Sequence, residues 1–208
     1  MPVALNGSTS GSVTITAPAV AGTNTLTLPA VTDTLVGLAA TQTLTNKTIQ
    51  GGAITSATAQ ASTSGTSINF TDIPSWVKRI TVMVQGLSFA GASGAARVQI
   101  GTGGVLTTTG YTSDCLLVTG SNACNTSSFI NGLAILNGNV AADTLWGVTT
   151  ITNLSGNTWI ATFNSCRSDS GSSRSGTGFI ALGGVLDIVS VVATSGSFDA
   201  GTINIMYE

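Results

Sequence analysis

Ile80-Thr81-Val82-Met83-Val84-Gln85 places Ile80, Val82 and Val84 on one side of an extended chain and Thr81, Met83 and Gln85 on the other. Successive side chains of a strand point to opposite faces, so this hexapeptide carries one apolar face that needs a covering layer. Runs of the same kind recur at Ser67 to Phe70, Arg97 to Ile100, Cys115 to Val118, Ser128 to Leu136, Leu145 to Thr152, Thr158 to Phe163, Phe179 to Leu182, Leu186 to Val192 and Thr202 to Tyr207. Turn signals separate them, among them Gly91-Ala92-Ser93-Gly94, Gly103-Gly104, Ser155-Gly156-Asn157 and Ser195-Gly196-Ser197. No ten-residue stretch carries a helical period. The expectation is an all-β fold in which residues 61–208 form an antiparallel, jelly-roll-like β-sandwich of two facing sheets.

Composition agrees. The 208 residues are 42% hydrophobic but only 7% charged, while Ser and Thr supply roughly 28% and 26 residues are Gly. Polarity therefore comes from hydroxyls and backbone, which suits pleated strands and tight turns better than helices. A mean hydropathy of +0.43 argues against wholesale disorder. The six basic residues are scattered apart from Lys78-Arg79 and the formal net charge is -2, so no electrostatic footprint for nucleic acid is present. The most apolar run, 185–193, is short and contains Asp187, which excludes membrane insertion by a spanning helix. The first ten residues lack a secretory pattern, and folding in a cytosol is expected.

Working back toward the N-terminus, Ala53 to Gly65 has one large apolar residue and no charge, and reads as a linker. Before it, Thr14-Ile15-Thr16-Ala17-Pro18-Ala19-Val20 returns as Thr25-Leu26-Thr27-Leu28-Pro29-Ala30-Val31, and Thr43-Leu44-Thr45-Asn46-Lys47-Thr48-Ile49 follows. Each unit alternates Thr with an aliphatic residue, and in the first two a proline closes the strand because it cannot donate to a ladder. Fourteen aliphatic side chains over residues 1–60 are too few to offset the ordering of that backbone. The missing burial must come from other chains, as short repeats require. Residues 1–60 are thus expected to form an extended fibrous attachment segment.

These repeats, together with Thr34-Leu35-Val36-Gly37, resemble the shaft or attachment region of tailed-bacteriophage tail fibres. Phe70-Thr71-Asp72-Ile73-Pro74-Ser75-Trp76-Val77-Lys78-Arg79-Ile80-Thr81-Val82 and the closing Phe198 to Glu208 are similar to a β-rich module at the C-termini of phage and prophage fibre proteins. The resemblance implies a non-enzymatic virion protein, assembled in the host cytoplasm and homotrimeric. Residues 1–60 would anchor it to other virion proteins and 61–208 would face the host surface, with a host-surface glycan as a candidate partner. A capsid or tail decoration protein and a carbohydrate-binding module are the alternatives.

The candidate sites are weighed against plainer roles. Without His, neither Ser-His-Asp nor Cys-His catalysis is available. Asp72, Asp114, Asp143, Asp169, Asp187 and Asp199 are isolated beside small residues, where Asp commonly caps a turn, so no catalytic residue is assigned. Cys115, Cys124 and Cys166 are an odd number without paired metal spacing, so neither a metal nor a cofactor is expected. A two-residue loop at Thr119-Gly120 would set Cys115 opposite Cys124; the plainer reading is buried thiols. For recognition, Tyr111 after Thr107-Thr108-Thr109-Gly110 is the leading candidate, followed by Arg167, Asp169 and Arg174 of the 165–175 loop and by Trp76. Trp146 and Trp159 are assigned to packing.

Overall fold

In a computed structural model the described residues are 3–16, 18–20, 22, 23, 25, 30, 54–119, 124–137, 140–168 and 172–208. The chain divides into two compact units, Met1–Lys47 and Thr48–Glu208.

In the first unit, β1 (Val3–Asn6) and β2 (Ser12–Ile15) form an antiparallel hairpin. The Gly7 N–H donates to the Gly11 carbonyl at 2.9 Å, closing the loop, and Gly11 sits at φ 77°. Val3 pairs with Ile15 and Leu5 with Val13, so the four aliphatic side chains share one face. All four are exposed, at 57%, 47%, 56% and 67% respectively. The later Thr-rich copies at 25–31 and 43–49 lie outside the described residues, apart from Thr25 and Ala30.

The second unit contains β3 (Thr55–Ser56), β4 (Gln60–Ala61), β5 (Ser67–Phe70), β6 (Arg79–Thr102), β7 (Val105–Leu106), β8 (Thr112–Val118) and β9 (Cys124–Phe129). It continues with β10 (Ala134–Asn137), β11 (Leu145–Ser155), β12 (Thr158–Arg167), β13 (Ser173–Ala181) and β14 (Leu186–Tyr207). No helix occurs among the described residues. The all-β, antiparallel expectation holds. In place of two separate facing sheets, one hydrogen-bonded path runs β3-β14-β6-β11-β12-β13-β8-β9, with β10 and β7 on β6 and with β4 and β5 on β14.

Two long strands organise this sheet. β14 pairs with β6 from Leu186–Thr102 to Tyr207–Ile80. The first half of β6 then pairs with β11 and the second half with β10, so the sheet has two arms joined through the same strands. Between Val84 and Ser88, β6 carries one residue more than either neighbour opposite it, a bulge that bends the strand and increases its twist. Gly86 and Gly201 occupy this bend at φ 65° and 109°. Gly91-Ala92-Ser93-Gly94 and Ser195-Gly196-Ser197, expected as turns, face each other inside the β6–β14 ladder as a second irregularity, between the pairs Ser197–Ala90 and Ser195–Ala95. Gly103-Gly104 does form a tight turn, and its Gly104 N–H donates to the Asp187 carboxylate at 3.0 Å.

The inner faces of both arms join one core. Ile80, Val82 and Val84 are buried as their alternation requires, and Ile151, Ala161 and Ile205 flank them in register. On β13, Gly176 and Gly178 leave room for neighbours: a Cβ at 176 would lie 2.7 Å from the Phe163 ring, and one at 178 would lie 2.9 Å from the Leu133 carbonyl oxygen. Single larger residues there would push the layers apart.

One expectation is corrected. The described part of the expected linker, residues 54–65, is not free: Thr55–Ser56 and Gln60–Ala61 pair with β14, and buried Ser62 donates through Oγ to the Ala200 carbonyl at 3.0 Å. Small side chains obscured a segment held by its backbone. These described residues fall within the second compact unit, Thr48–Glu208. In β8–β9, Cys115 faces Ser127 while Val118 faces Cys124, three positions along, because the connection spans 119–123. That offset is too long for a disulfide, and Cys115 is a free, buried thiol.

Candidate functional site

The outer face of the arm β14-β6-β11-β12-β13 holds an open groove of about 690 Å³. Two adjacent cross-strand rows build it. One runs Asn204, Met83, Val148, Asn164 and Ser175. The next runs from Thr202 and Gln85 past Trp146 to Cys166 and Ser173. The bend at Gly86 sets the position of Trp146, which faces the extra residue of β6.

This arrangement produces a pattern across the groove. Met83, Val148, Trp146 and Cys166 form an apolar floor, with Trp146 37% and Val148 47% exposed. Gln85, Thr202 and Asn204 border it on one side; Asn164, Ser173 and Ser175 border it on the other. Asn204 is fixed, with its Oδ1 accepting the Ile205 N–H at 2.8 Å and its amide nitrogen 3.3 Å from Ser56 Oγ. The Gln85 and Asn164 amides make no hydrogen bond within the described residues. Arg174 lines the groove by its position on β13, but alternation sends its side chain to the opposite face from Ser173 and Ser175. No charged side chain therefore stands on the groove floor or along its two borders. A second hollow of about 480 Å³ shares Ser175 and carries Asp114, hydrogen-bonded to Ser128.

Of the described sequence candidates, Arg174 lines the groove by its strand position, while Tyr111, Arg167 and Trp76 lie elsewhere. Tyr111 is a correction: it is 1% exposed, not a recognition residue in a surface loop. Its Oη accepts the Ile100 N–H at 3.0 Å and lies 2.8 Å from the Thr107 carbonyl it can donate to. Burial pushes its pKa up to about 12 against the opposing pull of the Ile100 hydrogen bond. Arg167 and Arg174 do come near one another. Burial lowers the Arg174 pKa, the nearby Cys115 raises it, and Arg167 lowers it further. The Nε of Arg167 lies 3.6 Å from buried Asp143 Oδ2, which also accepts the Val140 N–H at 3.0 Å, so both have structural partners. Burial likewise lowers the Arg97 pKa, and its guanidinium stands 5.1 Å from the Phe129 ring centroid. Asp169 lies outside the described residues. Trp76 is 56% exposed and leans on Tyr207, with ring centroids 6.0 Å apart.

Trp159 is buried as expected, whereas Trp146, assigned to packing, lies on the groove floor. The sequence signal was present but weak. Leu145 and Ile151 are buried on one parity and Trp146 and Val148 are exposed on the other, but Gly147 and Thr149 dilute the inward parity. The Asp residues behave as turn and strand-end groups at 143 and 187, where each accepts a backbone N–H. Lys78-Arg79 marks a strand end, with Arg79 ion-paired to Glu208. Among the described residues no three His, Cys, Asp or Glu side chains gather as a metal set, and no helix is long and apolar enough to cross a membrane. Comparison with family models, curated proteins and solved structures finds no match to this chain.

Proposed function

We propose that the chain is a non-enzymatic structural protein of a virion, of tail-fibre type, assembling as a homotrimer through its N-terminal segment and presenting the 48–208 unit outward. One observation carries the reading: the hairpin face of Val3, Leu5, Val13 and Ile15 is exposed on every member. An isolated two-stranded hairpin is marginal in water, and a four-residue aliphatic face gains its stabilisation only when another surface covers it. The nearly uncharged sequence around it, with Asp33 and Lys47 as the charged residues of 1–47, suits association between identical copies because little charge repels. Attachment by three identical units on one fibre raises avidity over single-site affinity by about 10²–10⁴. Gold labelling of a C-terminal tag on particles tests the reading. Label at fibre tips supports it, and label spread over the shell supports a decoration protein instead.

A further inference from the structure

We propose that the outer groove is a binding site for a neutral oligosaccharide, with Trp146 as its stacking platform. A pyranose ring combines an apolar C–H face with a rim of hydroxyls. The groove has the complementary layout, an apolar floor between two borders of amides and hydroxyls. Its volume of about 690 Å³ falls in the usual range for small-ligand sites. An exposed indole stacks on apolar faces while amides supply both donors and acceptors. The Gln85 and Asn164 amides, which make no hydrogen bond among the described residues, stand on opposite borders and can meet sugar hydroxyls from both sides. The absence of charge from floor and borders selects a neutral ligand, since an ionic group placed there would lose water without gaining a counter-ion. A purely apolar ligand would leave both amide borders unpaired, at a similar disadvantage.

The inference stands apart from fibre assembly, because every residue it uses lies in the Thr48–Glu208 unit. A monomer that binds sugar would overturn the trimer and leave the groove site intact. The test uses the full chain with cellohexaose, maltohexaose, N-acetylchitohexaose and a mannan hexamer as probes, read by saturation-transfer NMR and by maleimide labelling of Cys166 on the groove floor. At least one probe should show transfer and slow Cys166 labelling, and Trp146→Ala should weaken that probe by about tenfold or more. Trp146→Phe should retain most of the binding, and Trp76→Ala all of it. Absence of transfer from every probe at about 10 mM, or unchanged binding in Trp146→Ala, would overturn the proposal.

Discussion

Gly201 on β14 backs directly onto Gly86 on β6: a Cβ at position 201 would stand 2.7 Å from the Gly86 carbonyl oxygen. Both residues have left-handed backbone, and both sit where the long strands bend. Gln85 immediately precedes Gly86, Thr202 immediately follows Gly201, and the two pair, so this crossing also fixes one border of the groove. Glycine is needed here for two separate reasons, the positive φ and the close approach of two backbones.

Gly201→Ala should therefore lose stability by about 1–3 kcal/mol, the range for a strained backbone position, with steric displacement added. Gly183→Ala is the control, because its Cβ would meet nothing within 4 Å. Urea midpoints of the two variants check this: a clear drop at 201 and little change at 183.

Tyr111→Phe should cost about 1–3 kcal/mol by leaving the Ile100 N–H buried without its acceptor. The phenol also predicts an alkaline dependence. Its folded pKa of about 12 lies above the ordinary value of 10.0, so the folded state holds the proton more tightly. That stabilisation is complete below pH 10 and is lost as pH rises toward 12. Denaturation from pH 9 to 12 should show the wild type losing its advantage over Tyr111→Phe across that window.

Cys166 should react with a maleimide in the native protein, whereas Cys115 should react only after unfolding. Burial raises the Cys115 pKa against the pull of Arg174 and Arg97, which disfavours the reactive thiolate. Peptide mapping of labelled protein distinguishes the two sites, and equal labelling would contradict the packing around Cys115.

Leu5→Ser with Val13→Ser should abolish association while leaving unfolding of the Thr48–Glu208 unit within about 0.5 kcal/mol. The two side chains form one cross-strand pair on the exposed face, so removing them subtracts apolar surface without altering the ladder. Sedimentation velocity and urea titration of the same sample read both effects.

Strand positions were legible where alternation is clean: Ser67 to Phe70 appears as expected, and Thr158 opens β12. The long strands were not. Gly91-Ala92-Ser93-Gly94 and Ser195-Gly196-Ser197 have turn composition, but a sheet that must bend uses the same small residues for its irregularities. The contacts that decide between turn and bulge come from about a hundred residues away. Tyr111 misled for a similar reason, since its Gly110 neighbour signals a loop while its Oη is held by Ile100 in β6. The groove needed register across five strands to become visible, and no local pattern encodes that register.

Sedimentation equilibrium of the full chain tests the central claim most directly. The account predicts a mass three times the 20.7 kDa of one chain, independent of concentration over the accessible range. A stable 20.7 kDa species whose β1–β2 amides are nonetheless protected from hydrogen exchange would contradict it.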